Sequence, residues 1–177
     1  MSTPHEVPGQ LTSGSVADDS REAWRVLERG YSISAIHRTL GLSLRVIEPG
    51  GVIVTYNGAN AACNRLGTIA GGAISEMIDS AVVQASRSLL GAEDVAATLE
   101  LKVNFVRPAR AGESLTTRGR VEYLGSSTAV GTGRVERDDG TLVAMGTVTV
   151  SIRRAAKQIA SHQALASTRS RAVRRVR

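Results

Sequence analysis

Residues 64–90 read NRLGTIAGGAISEMIDSAVVQASRSLL, and the reading of this stretch decides the fold. Gly67 and then Gly71-Gly72 make a glycine-rich turn. Ile74, Met77, Ile78, Ala81, Val82, Ala85 and Leu89 follow at spacings of three and four. At about 100° per residue these side chains form one apolar stripe, which predicts a long amphipathic helix with one buried face. Asp79 falls well off the centre of the stripe, with Glu76 and Val83 further round. An outer face that sets two carboxylates beside a valine suits a partner subunit or a ligand.

Beyond this helix the hydrophobic period changes from 3.6 to 2. Residues 95–106 predict a long strand with Leu99, Leu101, Val103 and Phe105 on one face, and Thr98, Glu100, Lys102 and Asn104 on the other. Arg107-Pro108-Ala109 ends it, because proline cannot donate to a ladder. Three more strands follow at about 113–123, 128–137 and 141–152, with turns at Gly125-Ser126-Ser127 and Asp138-Asp139-Gly140. The connections are too short for crossover helices, so these strands are antiparallel. Before the central helix, residues 42–48 and 52–56 alternate around Pro49-Gly50-Gly51 as a hairpin. Asp18, Asp19 and Ser20 offer caps to a helix that ends near Gly30, and a shorter helix spans 34–40 up to Gly41. The expected organisation is a disordered segment at 1–17, helices at 18–40, an α+β domain at 41–152 and a basic tail at 153–177.

The 177 residues suffice for one domain with a real core, and with 42% apolar but only 3% aromatic residues that core must be aliphatic. The net charge of +6 is unevenly placed: residues 153–177 hold eight basic and no acidic residues, leaving fourteen basic against sixteen acidic in residues 1–152. The domain is therefore near neutral and the basicity belongs to the tail. No aromatic is interleaved with the tail's arginines, so base stacking has no support and the tail reads as solvated rather than nucleic-acid-binding. No apolar run reaches the ~18 residues of a membrane span and no signal-peptide core is present. With one cysteine, Cys63, the expected compartment is the cytoplasm.

Several chemistries lack their residues. There is no G-x-S-x-G elbow, no P-loop and no dinucleotide fingerprint. His5, His37 and His162 are too scattered for a metal site or a Ser-His triad, so no metal or cofactor is expected. What remains is carboxylate, amide and backbone chemistry. The N-terminus of a helix exposes unpaired N–H groups, and Gly71-Gly72 would let a carbonyl oxygen approach them. Asn64 adds a side-chain N–H, Asp79 lies two turns into the helix as nucleophile or base, and Thr98 offers a hydroxyl to orient water. Polarising an acyl carbonyl while a carboxylate assists attack is the chemistry of thioester hydrolysis. On spacing alone the plainer reading is commoner, since most Gly-Gly pairs before helices are only turns and most outer-face carboxylates are only solvated.

The pattern N-x-x-G-x-x-x-G-G at residues 64–72, an aspartate seven residues later, and LKVNFVRPA at residues 101–109 together resemble the hotdog-fold acyl-CoA thioesterases, in their PaaI-like branch. The resemblance covers about residues 40–152. It implies an α+β hotdog fold, with a long central helix wrapped by a five- or six-stranded antiparallel sheet. It further implies an acyl-CoA substrate, and a homodimer commonly paired into a homotetramer with sites between subunits. By position, Asp79 matches the catalytic carboxylate, Asn64 the asparagine that holds the thioester or water, the Gly71 amide the oxyanion donor, and Thr98 the water-orienting hydroxyl. Gly72, Glu76 and Val83 fall along the substrate and interface face, and Arg107 and Arg110 where CoA phosphates are met. One departure stands out: Ala70 occupies the place of the usual histidine before Gly-Gly. A slow thioesterase is expected, the alternative being an acyl-CoA-binding protein with little turnover.

Overall fold

The computed structural model describes residues 13–58 and 62–155, with side chains from residue 21 onward. Two helices, α1 (Ser13–Ile33) and α2 (Ala35–Leu40), precede a hairpin of β1 (Leu42–Glu48) and β2 (Gly51–Tyr56). The central helix α3 (Gly71–Arg87) follows, then β3 (Val95–Phe105), β4 (Leu115–Leu124), β5 (Thr128–Arg137) and β6 (Leu142–Arg153). The six strands form one sheet in the order β1-β2-β4-β5-β6-β3, with every neighbouring pair antiparallel. The first strand after α3 thus crosses to the far edge and pairs with the last one.

The helix lies in the curve of the sheet. Met77, Ile78, Ala81, Val82 and Ala85 are fully buried, against Val54, Leu115, Val135, Val148 and Val150 from the strands. The close approach depends on a row of missing side chains. Gly119, Gly133 and Gly146 stand opposite one another across β4, β5 and β6. A Cβ on Gly119 would lie 2.7 Å from the backbone carbon of Ala81, and one on Gly133 2.8 Å from Ile78 Cγ2. Beside them, a Cβ on Gly131 would meet Val82 Cγ1 at 2.6 Å. Glycines in these strands cost conformational entropy; here they let α3 approach the sheet closely, in a core that is mainly aliphatic but also holds Tyr31 and Tyr56.

Three expectations need correction. Helix α1 begins at Ser13, inside the segment expected to be disordered, and runs through Gly30 to Ile33. Glycine in a helix interior is unfavourable by about 1 kcal/mol, but the next residue, Tyr31, is buried and its hydroxyl meets Ser80 Oγ at 2.9 Å, so tertiary contact overrides propensity. The second concerns β3. Thr98 pairs with Val150 and Glu100 with Thr149, so Leu99 is an extra residue in a β-bulge. The bulge reverses the alternation. Ala96 and Thr98 face the helix before it, and Leu101, Val103 and Phe105 after it, while Leu99 is turned out. Thr98 was therefore assigned to the wrong face and Leu99 wrongly grouped with Leu101. The third is the start of β4, at Leu115 rather than 113: Glu113 instead accepts the Arg110 amide at 2.8 Å and Arg137 Nε at 2.9 Å. Among the described residues no helix is long and apolar enough to cross a membrane. The basic tail beyond Ala155 and the expected disorder at 1–12 lie outside the described residues.

Candidate active site

Two loops build the entrance to α3. Asn64 accepts the amides of Leu66 (2.9 Å) and Thr68 (3.3 Å) on Oδ1 and donates from Nδ2 to Thr68 Oγ1 at 2.8 Å. Its side chain therefore braces the turn from 64 to 68, in which Gly67 takes φ 70°, a region open to glycine. The strip that follows bonds to the opposite loop, with the Ile69 amide on the Ala109 carbonyl (2.8 Å) and the Ala111 amide on that of Gly67 (3.0 Å). This pairing brings Arg110 alongside Thr68.

The Ala70 carbonyl accepts the amides of Ala73 and Ile74 and starts the helix, and no side chain caps it. The amides of Gly71 and Gly72 belong to the first turn, where no intrahelical acceptor exists. A cleft of about 310 Å³ lies beside Gly71, lined by Ile69, Ile74, Phe105, Val106, Arg107, Pro108 and Ala109. The Phe105 ring is packed so close that a Cβ on Gly71 would sit 3.1 Å from its Cζ. Arg107 borders the cleft while one of its guanidinium nitrogens donates to the Leu142 carbonyl at 3.2 Å. Gly72 is exposed, and the Arg110 side chain lines none of this cleft. Ala70 contributes a methyl where a histidine would contribute a ring nitrogen.

Farther along the helix, Thr98 Oγ1 donates to Asp79 Oδ1 at 2.6 Å. The bulge at Leu99 makes this bond possible, because without it Thr98 would point to the outer face. Eight residues separate Gly71 from Asp79, about 12 Å along a helix axis. Within one chain, then, the cleft beside Gly71 and the carboxylate–hydroxyl pair stand apart. Val83, one turn beyond Asp79, is half-buried against the core rather than standing free.

Glu76, one turn before Asp79, has a partner that the sequence did not reveal. His37 of α2 places Nε2 3.1 Å from Glu76 Oε1 and Nδ1 3.0 Å from the Tyr31 carbonyl oxygen. The two rings stack with centroids 3.6 Å apart. Burial raises the Glu76 carboxyl above its ordinary range, opposed by the bond to His37, and burial likewise pushes the Tyr31 phenol upward. In the sequence His37 is one of three scattered histidines; the packing of α1 and α2 over α3 gives it its place. Among the described residues no group of three or more His, Cys, Asp or Glu side chains is arranged to hold a metal.

The comparisons agree with this fold. The thioesterase superfamily model matches residues 66–144, from the turn before α3 into β6. Acyl-coenzyme A thioesterase PaaI of Escherichia coli K12 is 29% identical over 112 residues, 63% of this chain and 77% of that protein. A phenylacetic acid degradation-related protein from Ralstonia eutropha JMP134 is 30% identical, with TM-score 0.64 over 72% of this chain and 96% of that one. A Streptococcus mutans UA159 protein solved with acetyl-CoA bound is 26% identical, with TM-score 0.59 over 64% of this chain and 89% of that one. The wrapped helix, the all-antiparallel sheet and these likenesses together place the chain in the thioesterase superfamily, among the PaaI-like hotdog proteins.

Proposed function

We propose that the protein hydrolyses acyl-CoA thioesters to a free acid and CoA, with Asp79 as nucleophile or general base. The observation that carries this reading is the Thr98–Asp79 bond beside a sheet edge, with a cleft beside Gly71 at the start of the same helix. Thr98 orients the carboxylate and any water beside it. The Gly71 amide, at the positive end of the helix dipole, receives the developing oxyanion. Arg107 attracts the anionic end of the substrate at the cleft, and Asn64 fixes the turn that presents Gly71. With about 12 Å between the halves, a complete site draws Asp79 and Thr98 from one subunit and Gly71 from another. Among the described residues β3 is an edge strand, and with Leu99 62% and Phe105 55% exposed it supplies a surface for that dimer.

Subunit complementation tests chemistry and assembly together. Asp79→Asn removes the carboxylate. Gly71→Pro removes the amide proton at the first helical position, which tolerates proline. Each variant alone should lose about 10²–10³-fold in thiol release. Mixed and reassembled in equal amounts, half the dimers are hybrids, each with one intact site, so roughly a quarter of wild-type activity returns. No recovery despite hybrid formation would mean that each chain carries a whole site. A second reading, an acyl-CoA-binding protein with little turnover, is favoured by the methyl of Ala70; tight CoA binding without Asp79-dependent thiol release would establish it.

A further inference from the structure

The contacts of His37 fix more than its orientation. A carbonyl oxygen only accepts, so the 3.0 Å contact to Tyr31 O requires a proton on Nδ1. The 3.1 Å contact between Nε2 and Glu76 Oε1 then has two arrangements. Either an imidazolium donates to a carboxylate, or a carboxylic acid donates to a neutral imidazole. In both, one proton lies between the two groups and the pair carries no net charge. Glu76 and Asp79 stand three residues apart on one helix, with side chains about 5–6 Å apart at their base. Glu76 is faced by His37 from α2, by the neutral phenol of Tyr31 from α1 and by Asp79 on its own helix. Two bare carboxylates at that spacing would oppose each other's ionisation.

We propose that the Tyr31 carbonyl, His37 and Glu76 form a positioning relay that keeps one proton on the His37–Glu76 contact, so that Asp79 is the only uncompensated anion on its face of α3. The relay acts through Asp79 and touches no substrate. His37 is buried at 8% exposure and the Glu76 side chain is 23% exposed, so the contact is largely shielded from bulk water. The proposal rests on the reading of Asp79 as the acting carboxylate, and its test separates the two.

The decisive readout is the acid limb of the kcat/KM profile. His37→Gln keeps a donor to Glu76 but cannot carry the proton, so Glu76 becomes a bare charge and the limb moves to higher pH by about half to one unit. Adding Glu76→Gln to that variant removes the charge and returns the limb to its wild-type position. A limb unmoved by His37→Gln, or not restored in the double variant, overturns the relay, since a merely structural role offers no reason for a second substitution to repair the first. Should the variants fold poorly, ¹⁵N-imidazole spectra of the wild-type protein serve instead. At about pH 7 either Nε2 of His37 carries a proton or the ¹³C shift of the Glu76 carboxyl is that of an acid, and a bare Nε2 beside an ionised Glu76 overturns the proposal. Full activity in Asp79→Asn would remove the catalytic reading while leaving the imidazole result to stand on its own.

Discussion

Replacing Gly119 by alanine tests whether the helix position that carries the site is set by the glycine row. The new Cβ would stand 2.7 Å from both the Cβ and the backbone carbon of Ala81, and 2.8 Å from its carbonyl oxygen. Carbon atoms pack best at about 3.5–4.0 Å, so the shortfall is about 0.8 Å or more. Ala81 has no flexible side chain to fold away, and its backbone is locked in the middle of α3. The helix, or β4, must move by most of that distance. Overpacking of this kind costs about 1–3 kcal/mol, while the alanine's smaller conformational entropy loss returns at most about 1 kcal/mol. A net loss of about 1–2 kcal/mol corresponds to a melting temperature lower by about 2–8 °C for a domain of this size.

Moving α3 also moves Asp79 against Thr98, whose 2.6 Å bond joins the helix to an edge strand. A misplacement near 1 Å can reduce turnover by about 10²-fold, so kcat should fall further than the stability change alone explains at temperatures where the variant is folded. Gly30→Ala is the matched control. It lies in helix α1 with nothing within 4 Å of a new Cβ, and should gain about 0.5–1 kcal/mol with activity unchanged. Chemical denaturation at one fixed protein concentration, with kcat measured below the transition, reads both quantities. Equal stability of Gly119→Ala and wild type would refute the argument, because it would mean that the helix has room the contacts deny it.

Thr98→Val keeps the branched shape but removes the hydroxyl, and should lower kcat/KM about tenfold, the worth of one half-exposed charge-assisted bond; Thr98→Ser should recover most of it. Asp94 is buried and accepts the Ala155 amide at 2.9 Å, the Gly91 amide at 3.1 Å and Arg154 at 3.1 Å. The Ala155 amide first, then those of Gly91 and the Arg154 side chain, hold its carboxyl below the ordinary 3.8. Folding therefore favours the ionised form: the stabilisation is complete above that value and is lost as pH falls through the lower folded one. Urea titrations should show Asp94→Asn weaker by about 1–3 kcal/mol at neutral pH, with a flatter loss of stability below about pH 4.

The central helix, the hairpin and the last three strands were legible because each follows from a period and a turn that are local to it. Gly71, Asp79 and their order on one helix were legible for the same reason. What escaped is set by partners distant in sequence. The bulge at Leu99 arises from the register of β3 on β6, where Thr98 meets Val150 and Glu100 meets Thr149; strict alternation puts Thr98 on the face away from the carboxylate it bonds. His37 is 39 residues from Glu76 and Tyr31 is 49 from Ser80, and no spacing rule joins a helix to one packed across it. Asn64, matched as a substrate-holding amide, spends its Oδ1 and one Nδ2 proton on its own turn. That role was visible in principle, since Asn followed by a glycine turn bonds its own backbone.

The same packing surrounds the two carboxylates of α3 differently. Glu76 and Asp79 lie one turn apart on an outer face, where the resemblance implies the catalytic carboxylate for Asp79 and only the substrate and interface face for Glu76. Helices α1 and α2 cover one of them: Tyr31 and His37 are buried over Ser80 and Glu76, and Glu76 acquires a histidine. Asp79 is left toward the β3 edge, where its partner is a hydroxyl that cannot neutralise it. A carboxylate offered a proton by a histidine becomes a structural acid, whereas one offered a hydrogen bond by threonine stays free to accept a proton or attack a carbonyl. On the proposed relay, the segment before the hairpin helps set which carboxylate of α3 is chemically available.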